Sequence, residues 1–287
     1  MRGGRLARTG AVVAVVAAAC VLAVVALLPS RGTASAAPKK SGPPPLVRVM
    51  PLGDSITWGQ GSATESSYRA PLWRMVAGQK RYAIRFVGSE HNGDLPEPDN
   101  EGHRRYTIGQ VMANIDRWTA AGRPDVVLLH IGINDLNRRV DPDHAPERLA
   151  ALVDRIYADR PGVSVVYLGL IPTTPGLQPQ IAGFNVLARH LAAVERERGR
   201  MFRYVDPPAL TAAERVDRLH PNDAGYLRIA RALFPALTAA VEEREARGAV
   251  ARAGAGVTGP SDGPAPATPP TGPGSPSPTP PTAVTPA

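Results

Sequence analysis

Four side chains of this sequence have the types and settings from which an acyl-transfer centre could be built. Ser55 follows Gly53-Asp54, where the apolar run 46–52 stops and a stretch rich in Gly, Ser and Thr begins. A buried parallel strand ending in this way delivers a small hydroxyl to the carboxyl edge of a sheet, where ligands of open α/β sheets bind. Such a serine is a candidate nucleophile, provided a base and an oxyanion stabiliser converge on it. Asn134 stands in Gly132-Ile133-Asn134-Asp135, again just after an apolar run, and its carboxamide can donate two hydrogen bonds. Aimed at an ester oxygen, such a donor stabilises the tetrahedral intermediate by about 3–4 kcal/mol. Asp217 and His220 lie three residues apart, so that they can face each other across one turn. The carboxylate would hold one imidazole nitrogen and leave the other to accept the Ser55 proton.

Each segment taken alone also has a purely structural explanation. Gly-Asp-Ser and Asn-Asp are common turn sequences, Asp54 can brace its own loop, and Asn222 and Asp223 are good helix N-caps. Their joint occurrence, each at an element boundary, is what makes the signal specific. His130 lies within an apolar run and reads as a hydrogen-bonded core histidine rather than a second base. His91, His103, His144 and His190 show no metal-ligand spacing with a neighbouring carboxylate. Asp94, Glu97, Asp99 and Glu101 read as a solvated loop rather than a cation site, given the Pro and Gly around them. No metal and no cofactor are therefore expected. Arg104-Arg105 and Arg138-Arg139 read as solvated surface, and no basic cluster interleaved with aromatics points to nucleic acid.

The elements that must position these residues are legible in the patterning. Strand-like runs at 47–52, 84–88, 126–131, 164–170 and 202–205 alternate with helical stretches at 68–79, 108–121, 146–159, 180–198 and 222–241. In the third helix Leu149, Leu152, Val153 and Ile156 fall at i, i+3, i+4 and i+7, one apolar face of a 3.6-residue period. Alternation of this kind predicts βαβ units: a five-stranded parallel sheet covered on both faces, in a three-layer α/β/α sandwich.

Both ends stand apart from this pattern. Residues 1–36 join three arginines to the apolar run 11–28 and close on Ala34-Ser35-Ala36, the pattern of a secretory signal peptide with a small-residue cleavage site. An uncleaved anchor is the competing reading, because about 18 apolar residues can just span a bilayer. Cys20, the only cysteine, lies in this segment, which leaves the remainder without disulfides, thiolate metal sites or a cysteine nucleophile. Without the four arginines of those 36 residues the chain has 29 basic and 25 acidic residues, a net charge of +4 rather than +8. That balance suits solubility and a loose attraction to anionic polymers. Residues 37–45 read as a linker, 46–247 as one catalytic domain, and 248–287 as a disordered tail of Ala, Gly, Pro, Ser and Thr.

At this point a resemblance is plain. Gly53-Asp54-Ser55-Ile56-Thr57, Gly132-x-Asn134-Asp135 and Asp217-x-x-His220 are similar to the named blocks of the SGNH (GDSL-type) hydrolase superfamily. Tyr68-Arg69-x-Pro71-Leu72, Phe86-Val87-Gly88-Ser89, Glu101-Gly102-His103 and Leu219-His220-Pro221-Asn222-Asp223 narrow it to secreted acetylxylan esterases of carbohydrate esterase family three. The resemblance implies a flavodoxin-like fold and cofactor-free ester hydrolysis. Ser55 would be the nucleophile, His220 the base, Asp217 its orienter, and Asn134 with the Ser55 N–H oxyanion donors. One block departs: Arg105 stands where the family has a glycine that gives its N–H to the oxyanion hole. That N–H survives, but a side chain there is strained if φ must be positive. The expectation is a secreted monomeric esterase, wall-associated or free, cleaving short acyl, above all acetyl, esters of a small molecule or polysaccharide. It would meet a membrane only through a retained N-terminal segment. Two alternatives stand beside it: a lipase, phospholipase or thioesterase of the same superfamily, and a non-catalytic polysaccharide-binding protein.

Overall fold

The computed structural model describes residues 43–172 and 175–255. The segment expected as a signal peptide lies outside the described residues, and among those described no helix is long and apolar enough to cross a membrane. The strands are β1 (Leu46–Gly53), β2 (Ala83–Phe86), β3 (Glu90–His91), β4 (Asp99–Gly102), β5 (Val126–His130), β6 (Ser164–Leu168) and β7 (Met201–Val205). The helices are α1 (Ser55–Trp58), α2 (Arg69–Ala77), α3 (Ile108–Met112), α4 (Ile115–Gly122), α5 (Ile133–Asn137), α6 (Ala145–Asp159), α7 (Gln178–Glu197) and α8 (Asp223–Ala255).

The five strands of the expected set run parallel in the order β2-β1-β5-β6-β7, within a sheet that β4 and β3 bring to seven strands, and every residue of β5 and β6 is buried. Alternation along these strands divides the core. Met50, Leu52, Val127, Leu129, Val165 and Tyr167 face α3, α4, α6 and α7, whereas Val47, Val49, Val126, Leu128 and Val166 face α2 and α8. The expected three-layer sandwich is therefore the observed architecture, with the strand order of flavodoxin-like folds. The order reverses between β1 and β5, and Ser55 and Asn134 follow those two strands.

Three details differ from the sequence expectation. The stretch 108–121 is two helices rather than one, because the Asn114 side chain donates to the Gln110 carbonyl (2.9 Å) and competes with the backbone ladder at the break. The final helix runs to Ala255, eight residues into the segment expected as a tail; residues 256–287 lie outside those described. The acidic stretch 94–101 is not simply a solvated loop. Its end forms β4, which pairs antiparallel with β3 just upstream and parallel with the end of β1 at Leu52 and Gly53. Glu101 is buried there and accepts from the Ser89 N–H (2.7 Å) and Ser89 hydroxyl (3.0 Å).

A buried guanidinium holds the segment after β1 in place. Arg69 is fully buried without a carboxylate partner and donates to the carbonyls of Thr57, Trp58, Glu65, Asn92 and Pro98 at 2.8–3.3 Å. Burial pulls its pKa down to about 10, so it stays charged at neutral pH. One side chain thereby joins α1, the Gly/Ser-rich loop and the approach to β4, while Glu65 adopts a left-handed φ of 57° that directs its carbonyl inward.

Two further titratable groups are buried at the carboxyl end of the sheet. Asp54 accepts from the Ile56 N–H (3.0 Å) through Oδ1, and burial raises its pKa to about 7. His130 Nδ1 donates to the Leu168 carbonyl (3.1 Å), and burial lowers its pKa to about 4. This is the hydrogen-bonded core histidine expected from its place in an apolar run.

Arg69→Leu should destabilise the protein by about 3 kcal/mol or more, since it strands several buried carbonyls at once. Urea denaturation reads this directly, and a midpoint within error of wild type would remove Arg69 from its bracing role. Asp54 and His130 predict opposite pH dependences. Asp54 is protonated when folded at a pH where the unfolded chain has released its proton. Its contribution is complete below about pH 4 and is lost as pH rises through about 7. The contribution of His130 is complete above about pH 6.5 and is lost as pH falls towards about 4. Unfolding free energies of Asp54→Asn and wild type, measured over that range, should diverge in favour of the variant as pH rises; a constant difference would mean an ordinary carboxylate.

Candidate active site

The end of β1 is crowded. A Cβ on Gly53 would lie 2.2 Å from the His130 carbonyl oxygen and 2.6 Å from Thr57 Oγ1, so glycine is required here for close approach; its φ is not left-handed. The turn itself is made by Asp54, whose side chain caps α1 and leaves Ser55 as the first helical residue. On the far side of α1, a Cβ on Gly102 would lie 2.3 Å from the Trp58 nitrogen. The serine-bearing turn is thus gripped between the ends of β4 and β5.

His220 reaches this turn from the loop before α8. The Ser55 hydroxyl and His220 Nε2 are 3.0 Å apart, and His220 Nδ1 is 2.8 Å from Asp217 Oδ2. A carboxylate only accepts, so Nδ1 carries the proton and Nε2 is left to accept from the serine. Asp217 Oδ1 accepts from the N–H groups of Leu219 (2.7 Å) and His220 (2.8 Å), so the carboxylate is clasped by the turn it orients. Burial pushes the Asp217 carboxyl up, but the bonds from the His220 ring and these two N–H groups outweigh it and hold the pKa below its ordinary value. Asn222, expected as a cap, accepts from the N–H groups of Ala224 and Gly225 and fixes where the loop ends. Gln60 Nε2 lies 3.4 Å from His220 Nδ1; with the Nδ1 proton already given to Asp217, that is a packing contact.

Asn134 is buried in the first turn of α5, and its Nδ2 donates to the Tyr106 carbonyl (2.9 Å). One of its two N–H bonds is used in this way, which orients the other. The loop supplying that carbonyl is itself held down. His103 stacks on Trp118 (4.4 Å between centroids) and on Tyr106 (4.9 Å), and its Nε2 is 2.8 Å from the buried Glu101 carboxylate. Neither Tyr106 nor His103 stood out in the sequence as a site residue, because stacking and carbonyl direction leave no spacing signal. Arg105 has φ of 67°, the left-handed region in which a side chain costs about 1–2 kcal/mol. Arg138 Nη1 donates to the Arg105 carbonyl (3.0 Å), holding the strained peptide in place.

Ser55, Asn134, Arg105 and His220 all line one open cleft of about 340 Å³. Its apolar contributions come from Ile56, Ile133 and Leu219, and the rest of the lining is polar or cationic. The expected residues are thus brought together. Among the described residues no cluster of His, Cys, Asp and Glu could hold a metal ion.

Known proteins resemble this chain in sequence and fold. The sequence pattern of the GDSL-like lipase/acylhydrolase family fits residues 52–228. A family 3 carbohydrate esterase from Clostridium thermocellum superposes with a TM-score of 0.61 at 31% identity, over 66% of this chain and 94% of that one. A family 3 carbohydrate esterase from Talaromyces cellulolyticus gives 0.61 at 26% identity, over 69% and 99%. A multidomain esterase of Ruminococcus flavefaciens is 28% identical over 240 residues, 73% of this chain, which spans only 30% of that protein's length. With β2 to β7 and all the residues lining the Ser55 cleft inside the matched region, the chain belongs to the GDSL-like lipase/acylhydrolase family.

Proposed function

We propose that the protein is a secreted serine esterase that removes short acyl groups, above all acetyl, from carbohydrate. In this reading Ser55 Oγ attacks the ester carbonyl while His220 Nε2 takes its proton, and Asp217 stabilises the imidazolium that forms. The negative charge on the carbonyl oxygen is met by the free N–H of Asn134 and by the backbone N–H groups of Ser55 and Arg105. His220 returns the proton to the departing alcohol, and the same nitrogen then activates the water that cleaves the acyl-enzyme. The observation that carries the proposal is the relay of 3.0 Å and 2.8 Å from Ser55 through His220 to Asp217. The small, largely polar cleft supports a short acyl group and a hydroxyl-rich alcohol over a lipid tail. The similarity to family 3 carbohydrate esterases supports the same substrate class. Export is supported by the arginine-flanked apolar segment 11–28 and the Ala34-Ser35-Ala36 triplet that follows it.

The test is hydrolysis of a 4-nitrophenyl ester series, acetate to long chain, by the protein and its Ser55→Ala variant. Turnover should be fastest for acetate and fall by about 10⁴-fold or more in the variant. A preference for long chains would move the substrate to lipids or thioesters. No turnover by the folded wild-type protein would leave a binding protein, and unchanged turnover in Ser55→Ala would remove Ser55 as the nucleophile. Asn134→Ala should lower kcat about 10²- to 10³-fold with little change in KM, because its donor acts on charge that exists only in the transition state. A loss confined to KM would instead make Asn134 a ground-state contact.

A further inference from the structure

Three arginines from two pairs distant in sequence converge on the Ser55 cleft. Arg104 and Arg105 come from the loop after β4 and Arg138 from the end of α5; all three are exposed and line the cleft wall. None of the three is within ion-pair distance of a carboxylate among the described residues, whereas Arg148, Arg155 and Arg200 each have one or more. Among the described residues no Asp or Glu lines the cleft, and Asp217 behind His220 is already committed to the imidazole.

The existing contacts leave most of the donor capacity of this group unspent. Arg104 donates from Nε to Gln60 Oε1 at 3.3 Å, and its guanidinium lies 4.7 Å over the Trp58 ring, which fixes its plane beside the cleft. Arg138 uses Nη1 on the Arg105 carbonyl. Arginine carries five N–H donors in a fork that matches a carboxylate or phosphate in two-point contact. Three arginines lining one cleft, none paired with a carboxylate among the described residues, raise a positive potential over it that attracts an anionic ligand.

We infer that the substrate is an acidic glycan, with a carboxylate or phosphodiester close to the acyl ester, and that Arg104, Arg105 and Arg138 receive this anion. The inference rests on the esterase reading of the same cleft and names the substrate class within it. The basic rim does not act on the reacting carbonyl. It recruits and orients the chain that carries it, so its effect lies in KM and in dependence on ionic strength.

The experiment compares deacetylation of a neutral acetylated xylo-oligosaccharide, a uronate-bearing one, and an acetylated glycan linked by phosphodiesters, at low and high salt. One acidic substrate should exceed the neutral one by about tenfold in kcat/KM at low salt, mostly through KM, and lose that advantage at high salt. Which of the two does so identifies the anion. In the Arg104→Gln/Arg138→Gln variant the acidic-to-neutral ratio should approach one; taking the ratio within each protein cancels any general loss of turnover. Binding of the same glycans to Ser55→Ala should show the same preference without turnover. Equal rates on all three substrates, or a preference that survives the arginine substitutions, would overturn the inference. Hydrolysis of 4-nitrophenyl acetate by the wild-type protein separates the two failures. With it present, absence of an acidic preference in the wild type sinks only the substrate class; without it, the esterase reading falls as well.

Discussion

Close approach of backbone at the carboxyl ends of β1, β4 and β5 is the constraint on which the site depends. At Gly53 the strand passes within van der Waals distance of the His130 carbonyl, and at Gly102 the neighbouring strand meets the backbone of α1. A side chain at either place would force strands or helix apart. With both positions open, the four-residue turn that carries Ser55 is fixed between two strand ends instead of swinging on a free loop. The Ser55 hydroxyl therefore inherits the rigidity of the sheet, while His220 and Asp217 come to it from the loop before α8.

Those loops are braced by charged groups in unusual positions. Arg69, fully buried, takes carbonyls from five residues, and Glu101, also buried, takes donors from Ser89 and His103. Each replaces several weaker contacts by one side chain with many directional bonds, a sound solution for segments too short and polar to build their own core. The path from Glu101 through His103 and Tyr106 to Asn134 shows the consequence: a carboxylate in β4 sets the direction of an amide on α5.

Arg105 joins stability, strain and charge at one residue. Its left-handed backbone is costly for any residue but glycine, and the bond from Arg138 to its carbonyl offsets part of that. The backbone N–H remains as it would be in glycine, while the side chain adds a cation to the mouth of the cleft. The departure from the family pattern therefore leaves the hydrogen-bonding chemistry in place and changes what surrounds it.

The sequence alone determined the sandwich, because apolar runs of strand length alternating with helical periods have few other ways to bury both faces of a parallel sheet. It also marked Ser55, Asn134, Asp217 and His220, since each occupies a boundary where a buried element meets a short polar motif. It did not reveal β3 and β4, whose few residues carry no readable alternation and pair only because β1 ends beside them. Nor did it reveal the roles of Arg69, Glu101, His103 and Tyr106, which depend on carbonyl directions and ring stacking. Arg104-Arg105 and Arg138-Arg139 looked like two unrelated patches of solvated surface, and only the tertiary structure could bring three of them to one cleft. Local pattern is written in neighbouring residues; convergence across more than thirty positions is decided by how the chain crosses the sheet.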